Sequence, residues 1–173
     1  MNIVEKARIF ATAAHAAVDQ RRKYTGEPYI NHPKEVASIV ESVGGTPEML
    51  AAAWLHDVVE DTGVTLAVIE QEFGAYVASI VEQLTDISRP EDGNREERKR
   101  IDRLHTAQAW PKTKTIKLAD LISNSRSIVE RDPTFAAVYL REKRLLLDVL
   151  RDGDHRLWME ANSIVEAHIE GEP

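Results

Sequence analysis

The sequence predicts an all-α fold, a bundle of about eight to ten helices, on three observations. Apolar residues recur at helical spacing along most of the chain, strand-like alternation is nearly absent, and Gly, Pro or a capping Thr or Asp interrupts the pattern at intervals that suit short helices. At 173 residues with a 43% apolar fraction, the chain is long enough to build one domain with a real core, and residues 1–173 are expected to form it.

Charge and composition narrow the function. A net charge of −7 argues against a general binder of DNA, RNA or membrane surfaces. The absence of Cys removes disulfides, thiolate catalysis and Cys-based zinc sites. No apolar run reaches the roughly 18 residues that span a bilayer, and Met1-Asn2-Ile3-Val4-Glu5-Lys6 lacks a signal-peptide pattern. A soluble cytoplasmic protein is the expectation, with self-association into a homo-oligomer left open.

Taken in order, residues 3–19 form the first expected helix, with Ile3, Ala7, Phe10, Ala14 and Val18 on one face. His15 lies within it and reads as a core or boundary histidine bonded to a neighbour. Arg21-Arg22-Lys23 leads into a turn-rich loop punctuated by Gly26 and Pro28. Its cations suit either a solvated cluster or a phosphate site. Asn31-His32-Pro33 opens a helix to about residue 43, with Pro33 in the first turn, where its missing N–H costs nothing. Taken alone, His32 there reads as a surface histidine.

Gly44-Gly45 ends that helix, and Thr46-Pro47 caps and starts the next. This third helix is expected to continue through Leu50-Ala51-Ala52-Ala53-Trp54-Leu55 into His56-Asp57-Val58-Val59-Glu60-Asp61-Thr62. In a continuous helix His56 would lie beneath Glu60, and Asp57 beneath Asp61. Residues 66–73 and 75–84 give two helices parted at Gly74. Residues 89–94 read as a mobile loop, and a highly charged helix from Arg95 carries Ile101, Leu104 and Ala107. A helix over about 113–130 holds Asp120 inside the apolar run Ile116–Ile122, with Asn124 one turn later. Asp132-Pro133 opens the next, which carries Tyr139 among Phe135, Val138, Leu140, Leu145, Leu146, Leu147 and Leu150. Gly153 breaks it, a final helix follows from about residue 154, and Gly171-Glu172-Pro173 is expected to fray.

Four polar groups stand in apolar helices: His32, His56, Asp57 and Asp120. A buried, unpaired carboxylate or imidazole is costly. A salt bridge from Asp120 to a Lys or Arg is one way to offset that cost. A divalent cation shared by two imidazoles and two carboxylates is another, with positions left for water or substrate.

The order His, then His-Asp, then a distant Asp resembles the HD-domain metal-dependent phosphohydrolases. Arg22-Lys23, Gly26-Glu27-Pro28-Tyr29-Ile30-Asn31-His32-Pro33, His56–Thr62, Phe73-Gly74, and Lys117-Leu118-Ala119-Asp120 with Asn124 narrow the resemblance to alarmone hydrolases of the RelA/SpoT type. It covers about residues 5–150, most of the chain, so the stand-alone, Mesh1-like small alarmone hydrolases are the closer match. The resemblance implies an HD-type helical bundle with one Mn²⁺ held by His32, His56, Asp57 and Asp120. The mixed N/O donor set by itself also admits other divalent transition metals. It further implies hydrolysis of the 3′-pyrophosphate of (p)ppGpp to GDP or GTP plus pyrophosphate. Glu60 and Asp61 then match the pair that positions or deprotonates the attacking water, and Arg22, Lys23 and Asn124 match nucleotide contacts. Tyr139 matches an aromatic residue at the nucleotide pocket.

Two positions depart from the family pattern. Leu121 stands where a basic residue is frequent, and Ser123 where His or Tyr is common, which puts base preference in question. A related hydrolase acting on adenosine alarmones, NADPH or nucleoside monophosphates is therefore the alternative. A non-catalytic nucleotide-binding sensor is a second, and a helical interaction protein whose polar residues are all structural is a third.

Overall fold

The computed structural model describes residues 1–169, so the expected fraying at Gly171-Glu172-Pro173 lies outside the described residues. Ten α-helices and one 3₁₀ turn are formed among them, with no strand beyond an isolated Arg21–Pro28 bridge. No described helix is long and apolar enough to cross a membrane. The chain divides into two compact units, Met1–Thr85 and Asp86–Pro173.

In the first unit, α1 (Ile3–Ala17) is capped by the Asn2 side chain, which accepts from the Glu5 N–H at 2.8 Å. The helix stops two residues before expectation. Asp19 takes a left-handed φ of 47°, and Val18 is 48% exposed instead of lying on the buried face. That face is Ala7, Ala11 and His15, one turn apart, and its small residues let α1 lie close against the Ala51-Ala52-Ala53 run of α3 (Pro47–Leu55). α2 (Asn31–Ser42) also packs on α3, burying Val36, Ala37 and Val40. α5 (Leu66–Phe73) and α6 (Ala75–Leu84) part at Gly74, whose φ of 87° a side chain would strain. Phe73 meets Phe10 edge-on with ring centroids 5.4 Å apart.

The expected continuous helix through residues 47–62 is instead broken. α3 ends at Leu55, and α4 is the single turn Val58–Asp61. At the break the His56 ring Nδ1 bonds the Ala53 carbonyl at 2.7 Å. That oxygen is the acceptor the Asp57 N–H would use in an unbroken helix. Asp57, with φ −103° and ψ −1°, turns the chain there.

In the second unit, the segment before α7 (Arg95–Ala107) is organised by a buried carboxylate. Asp102 accepts from the Ile87 and Ser88 backbone N–H groups at 3.0 and 2.9 Å and from Ser88 Oγ at 2.7 Å. Pro90–Asp92 forms a 3₁₀ turn. The buried face of α7 is Asp102 and Thr106, one residue away from the expected Ile101–Leu104–Ala107 stripe, and Leu104 is half exposed. α8 (Pro111–Arg131) is the centre of this unit: Ile116, Leu118, Ala119, Leu121 and Ile122 are all fully buried. It packs against α9 (Pro133–Val149) and α10 (His155–Ile169). Val138 and Leu145 of α9, expected in the core, are about half exposed at 48% and 50%.

Gly153 does more than end α9. A Cβ there would lie 2.8 Å from Leu118 Cδ1 and 3.1 Å from the Lys114 carbonyl carbon and Thr115 nitrogen of α8. The neighbouring Asp154 N–H donates to Thr115 Oγ1 at 2.9 Å, and buried Lys114 pairs with Asp152 at 2.8 Å. The loop is thus clamped to α8 with no room for a methyl group. Gly153→Ala should cost about 1–3 kcal/mol of stability, read as a lower midpoint in chemical denaturation; an unchanged midpoint would show that the loop is not clamped.

Candidate active site

The broken helix brings three chemical groups of the first unit together. Ligand-capable atoms of His32, His56 and Asp57 all lie within 4.8 Å of one another. His32 sits in the first turn of α2 and is 1% exposed, so its surface reading is corrected: Val36, Ala37 and Val40 carry this helix face inward, and His32 goes with them. His56 is 3% exposed. Asp57 Oδ2 is the shared point, 3.0 Å from His56 Nε2 and 3.7 Å from His32 Nε2.

Hydrogen bonding sets what these atoms offer. The Ala53 carbonyl can only accept, so His56 Nδ1 carries the proton and Nε2 is turned to Asp57. A lone pair and a carboxylate held this close inside protein repel each other unless a cation or a proton lies with them. Two buried imidazoles and a carboxylate with converging acceptor atoms fit a divalent transition metal.

Tyr29, within the Gly26–Pro33 motif, is part of this centre. Its hydroxyl donates to Asp57 Oδ2 at 2.6 Å, and its ring stands between His15 and His32, 5.0 and 5.8 Å away. The Gly26-Glu27-Pro28 turn places it: Arg22 N–H bonds Glu27 O at 2.8 Å and Tyr29 N–H bonds Gln20 O at 3.0 Å, closing a hairpin-like loop. A tyrosine one residue beyond a proline turn is too common a pattern to mark by sequence alone.

One turn beyond the break, Glu60 and Asp61 are exposed at the end of α4. Asp61 Oδ2 accepts from Gln20 Nε2 at 3.0 Å. Loss of surrounding water raises the Asp61 carboxyl above its ordinary pKa. The Gln20 bond opposes the rise, and the Asp57 charge adds to it. On the loop, Arg22 is half-buried, and exposed Lys23 places its ammonium 5.1 Å from the Tyr24 ring centroid.

The second unit gathers its own group. Asp120, 9% exposed, accepts from Asn124 Nδ2 at 2.9 Å and pairs with Lys117 at 3.4 Å, both on α8. The salt bridge foreseen as one way to satisfy Asp120 is therefore present. Tyr139 is 7% exposed, and its hydroxyl pKa is raised by burial and then by the Asp120 charge. The Lys143 ammonium stands 4.7 Å from the Tyr139 ring centroid. Burial, followed by the charges of Lys117 and Lys99, pushes Lys143 down to about 8. These lysines and Arg103 line one pocket with Asp86, Asp102 and Glu142. Leu121 and Ser123, the two departures from the family pattern, are each 1% exposed. They belong to the core face of α8 and have almost no surface to offer a base.

Residues 7–145 match the family model described as HD domain. The chain belongs to the HD-domain family. Its relatives place this HD-domain chain with the MESH1-type proteins. It is 40% identical over 134 residues to the guanosine-3′,5′-bis(diphosphate) 3′-pyrophosphohydrolase MESH1 of Xenopus tropicalis, covering 76% of this chain and 72% of that one. It is 38% identical over 160 residues to a probable GTP pyrophosphokinase of Mycobacterium leprae, covering 92% of this chain but only 20% of that protein's length. Among solved structures, a metazoan SpoT orthologue described as hydrolysing ppGpp superposes with a TM-score of 0.85 at 30% identity, over 96% of both chains.

Membership in the HD-domain family implies a divalent metal, and His32, His56 and Asp57 form a site that suits one. Tyr29→Phe should weaken metal affinity roughly 10- to 100-fold by freeing the Asp57 carboxylate, measured by calorimetric titration with Mn²⁺ and Co²⁺. Unchanged affinity would remove Tyr29 from the account. His56→Ala and Asp57→Ala, in the same titration, should leave no measurable binding.

Proposed function

We propose that this chain is a metal-dependent phosphohydrolase that removes the 3′-pyrophosphate of guanosine alarmones, converting (p)ppGpp to GDP or GTP plus pyrophosphate. The observation that carries the reading is the convergence of buried His32, buried His56 and Asp57 on one carboxylate oxygen, one turn before an acidic pair. The MESH1 relative, of which this chain covers 72%, bears that activity in its name, and the match to a ppGpp-hydrolysing structure supports the same reading. The HD-domain match runs from residue 7 to residue 145, across both compact units, which supports treating residues 1–173 as one hydrolase domain.

His32, His56 and Asp57 hold one Mn²⁺ in this reading. Asp120 is taken as the fourth ligand on the sequence motif alone. When bound, the ion neutralises charge on the phosphoryl oxygens and makes a water molecule more acidic. The protein's own groups do the rest. Asp61, its proton affinity raised and its Oδ2 engaged by Gln20, keeps Oδ1 to orient the water and take its proton. Glu60, exposed beside it, supports the same water. As the water oxygen bonds to phosphorus, the bond to the ribose 3′-oxygen breaks, and the proton taken by Asp61 is returned to that leaving oxygen. Arg22 and Lys23 balance the polyanion, a local positive charge that the net charge of −7 does not itself supply. Asn124 and Tyr139 are assigned to the nucleotide side, with Asn124 also holding Asp120 through its amide. Leu121 and Ser123 are buried and present almost no surface to a base, so base preference is read from the substrate panel. The setting proposed is cytoplasmic, with a soluble nucleotide as partner and neither a nucleic-acid polymer nor a membrane.

The test is a substrate panel of ppGpp, ppApp, NADPH and nucleoside monophosphates with the Mn²⁺-loaded protein. Release of pyrophosphate from ppGpp is the expected result, and turnover confined to monophosphates would sink the proposal. Asp61→Asn and Glu60→Ala should keep metal and lose turnover, by about 10²- to 10⁴-fold for the proton acceptor. Arg22→Ala should act mainly on KM. In a metal titration, Asp120→Ala should weaken binding; full affinity in that variant would remove Asp120 from the ligand set.

A further inference from the structure

The first unit contains a buried histidine that the chemistry above does not use. His15 is 1% exposed, in the last turn of α1, with its Nδ1 2.8 Å from Gln20 Oε1. Gln20 in turn reaches Asp61 Oδ2 with its amide nitrogen at 3.0 Å. The direction of this chain of bonds is determined by its last member. An ionised carboxylate only accepts, so the Gln20 amide must present its NH₂ to Asp61 and its oxygen to His15. The oxygen only accepts as well, so His15 must carry its proton on Nδ1. The opposite amide orientation would set Gln20 Oε1 against Asp61 Oδ2, two acceptors at 3.0 Å.

The same imidazole also faces Tyr29, ring centroids 5.0 Å apart, and Tyr29 holds Asp57. His15 therefore lies behind two arms. One runs through Gln20 to the acidic pair, the other through Tyr29 to the cluster of His32, His56 and Asp57. Asp61 needs such support. It lies at the end of a single-turn helix, and Gln20 is the hydrogen-bond partner that fixes its carboxylate.

We propose that His15 and Gln20 are positioning residues for hydrolysis: the buried His15 orients the Gln20 amide, which locks the Asp61 carboxylate in place for the attacking water. The inference rests on the reading of Asp61 as the group that handles that water. His15 is buried and the Gln20 amide is engaged by His15 and Asp61, so both act on kcat through the geometry of Asp61.

The experiment compares Gln20→Met, His15→Phe, His15→Asn and Asp61→Asn by kcat and KM on ppGpp, with Mn²⁺ affinity and thermal midpoint measured on each. Gln20→Met, close in shape but unable to make either bond, should lose roughly 10- to 100-fold in kcat with KM and metal affinity unchanged. His15→Phe keeps the ring against Tyr29 but has no donor, and should show the same loss. His15→Asn restores an N–H near the position of Nδ1 and should recover most of it. Independently of turnover, the ¹⁵N imidazole spectrum of the unmodified protein should show His15 protonated on Nδ1, and Gln20→Met should make that proton exchange faster. The proposal is overturned if Gln20→Met turns over at the unmodified rate while Asp61→Asn is impaired. It is also overturned if His15→Phe is active and His15→Asn is not, since packing alone would then explain His15. Full activity in Asp61→Asn would instead remove Asp61 from the mechanism, and the positioning role with it.

Discussion

One carboxylate oxygen, Asp57 Oδ2, is where the chemistry of the first unit converges. It accepts from the Tyr29 hydroxyl at 2.6 Å and faces the Nε2 atoms of His56 and His32 at 3.0 and 3.7 Å. Each partner comes from a different segment: the loop after α1, the start of α2 and the end of α3. The arrangement requires the main helix to break. His56 takes the Ala53 carbonyl for its ring, and Asp57 turns the chain, so that a histidine and an aspartate adjacent in sequence point into one centre. On an unbroken helix successive side chains would diverge by about 100°. The local cost of a lost ladder bond is offset by the pairing of groups that would otherwise be buried alone.

Around this oxygen the protein is built in two layers. The inner layer offers two lone pairs and a negative charge, the requirement of a divalent cation. The outer layer, Tyr29, His15 and Gln20, holds carboxylates from behind. Tyr29 joins it to the inner layer through its bond to Asp57 and its ring contact with His32, while Gln20 reaches Asp61, and an outer layer of this kind both orients ligands and tunes their basicity. The close packing of α1 on α3 through alanines brings His15 near enough to take part.

The helices were legible because their punctuation is local. Gly74 separates α5 from α6, Thr46-Pro47 starts α3, and Asp132-Pro133 starts α9, each where the pattern predicts. What was not legible depends on contacts between segments. The break at His56-Asp57 comes from a side-chain bond that competes with the backbone, which periodicity cannot register. The shift of the α7 face by one residue follows from Asp102 collecting the N–H groups of Ile87 and Ser88, a polar use of a core position. His32 looked exposed because helix starts usually are. Its burial follows from the face it shares with Val36 and Val40. The ligand set was readable only as a pattern of residue types, and Tyr29, His15 and Gln20 gained their roles from hydrogen bonds that no spacing rule encodes.

His32, His56 and Asp57 together are expected to hold one cation. A crystal of the Mn²⁺-soaked protein, with anomalous data on the manganese edge, tests it most directly. A single strong peak is expected within about 2.0–2.3 Å of a nitrogen from each histidine and an oxygen of Asp57, distances ordinary for N and O ligands of a divalent transition metal. A peak elsewhere, or none there at saturating metal, would contradict it.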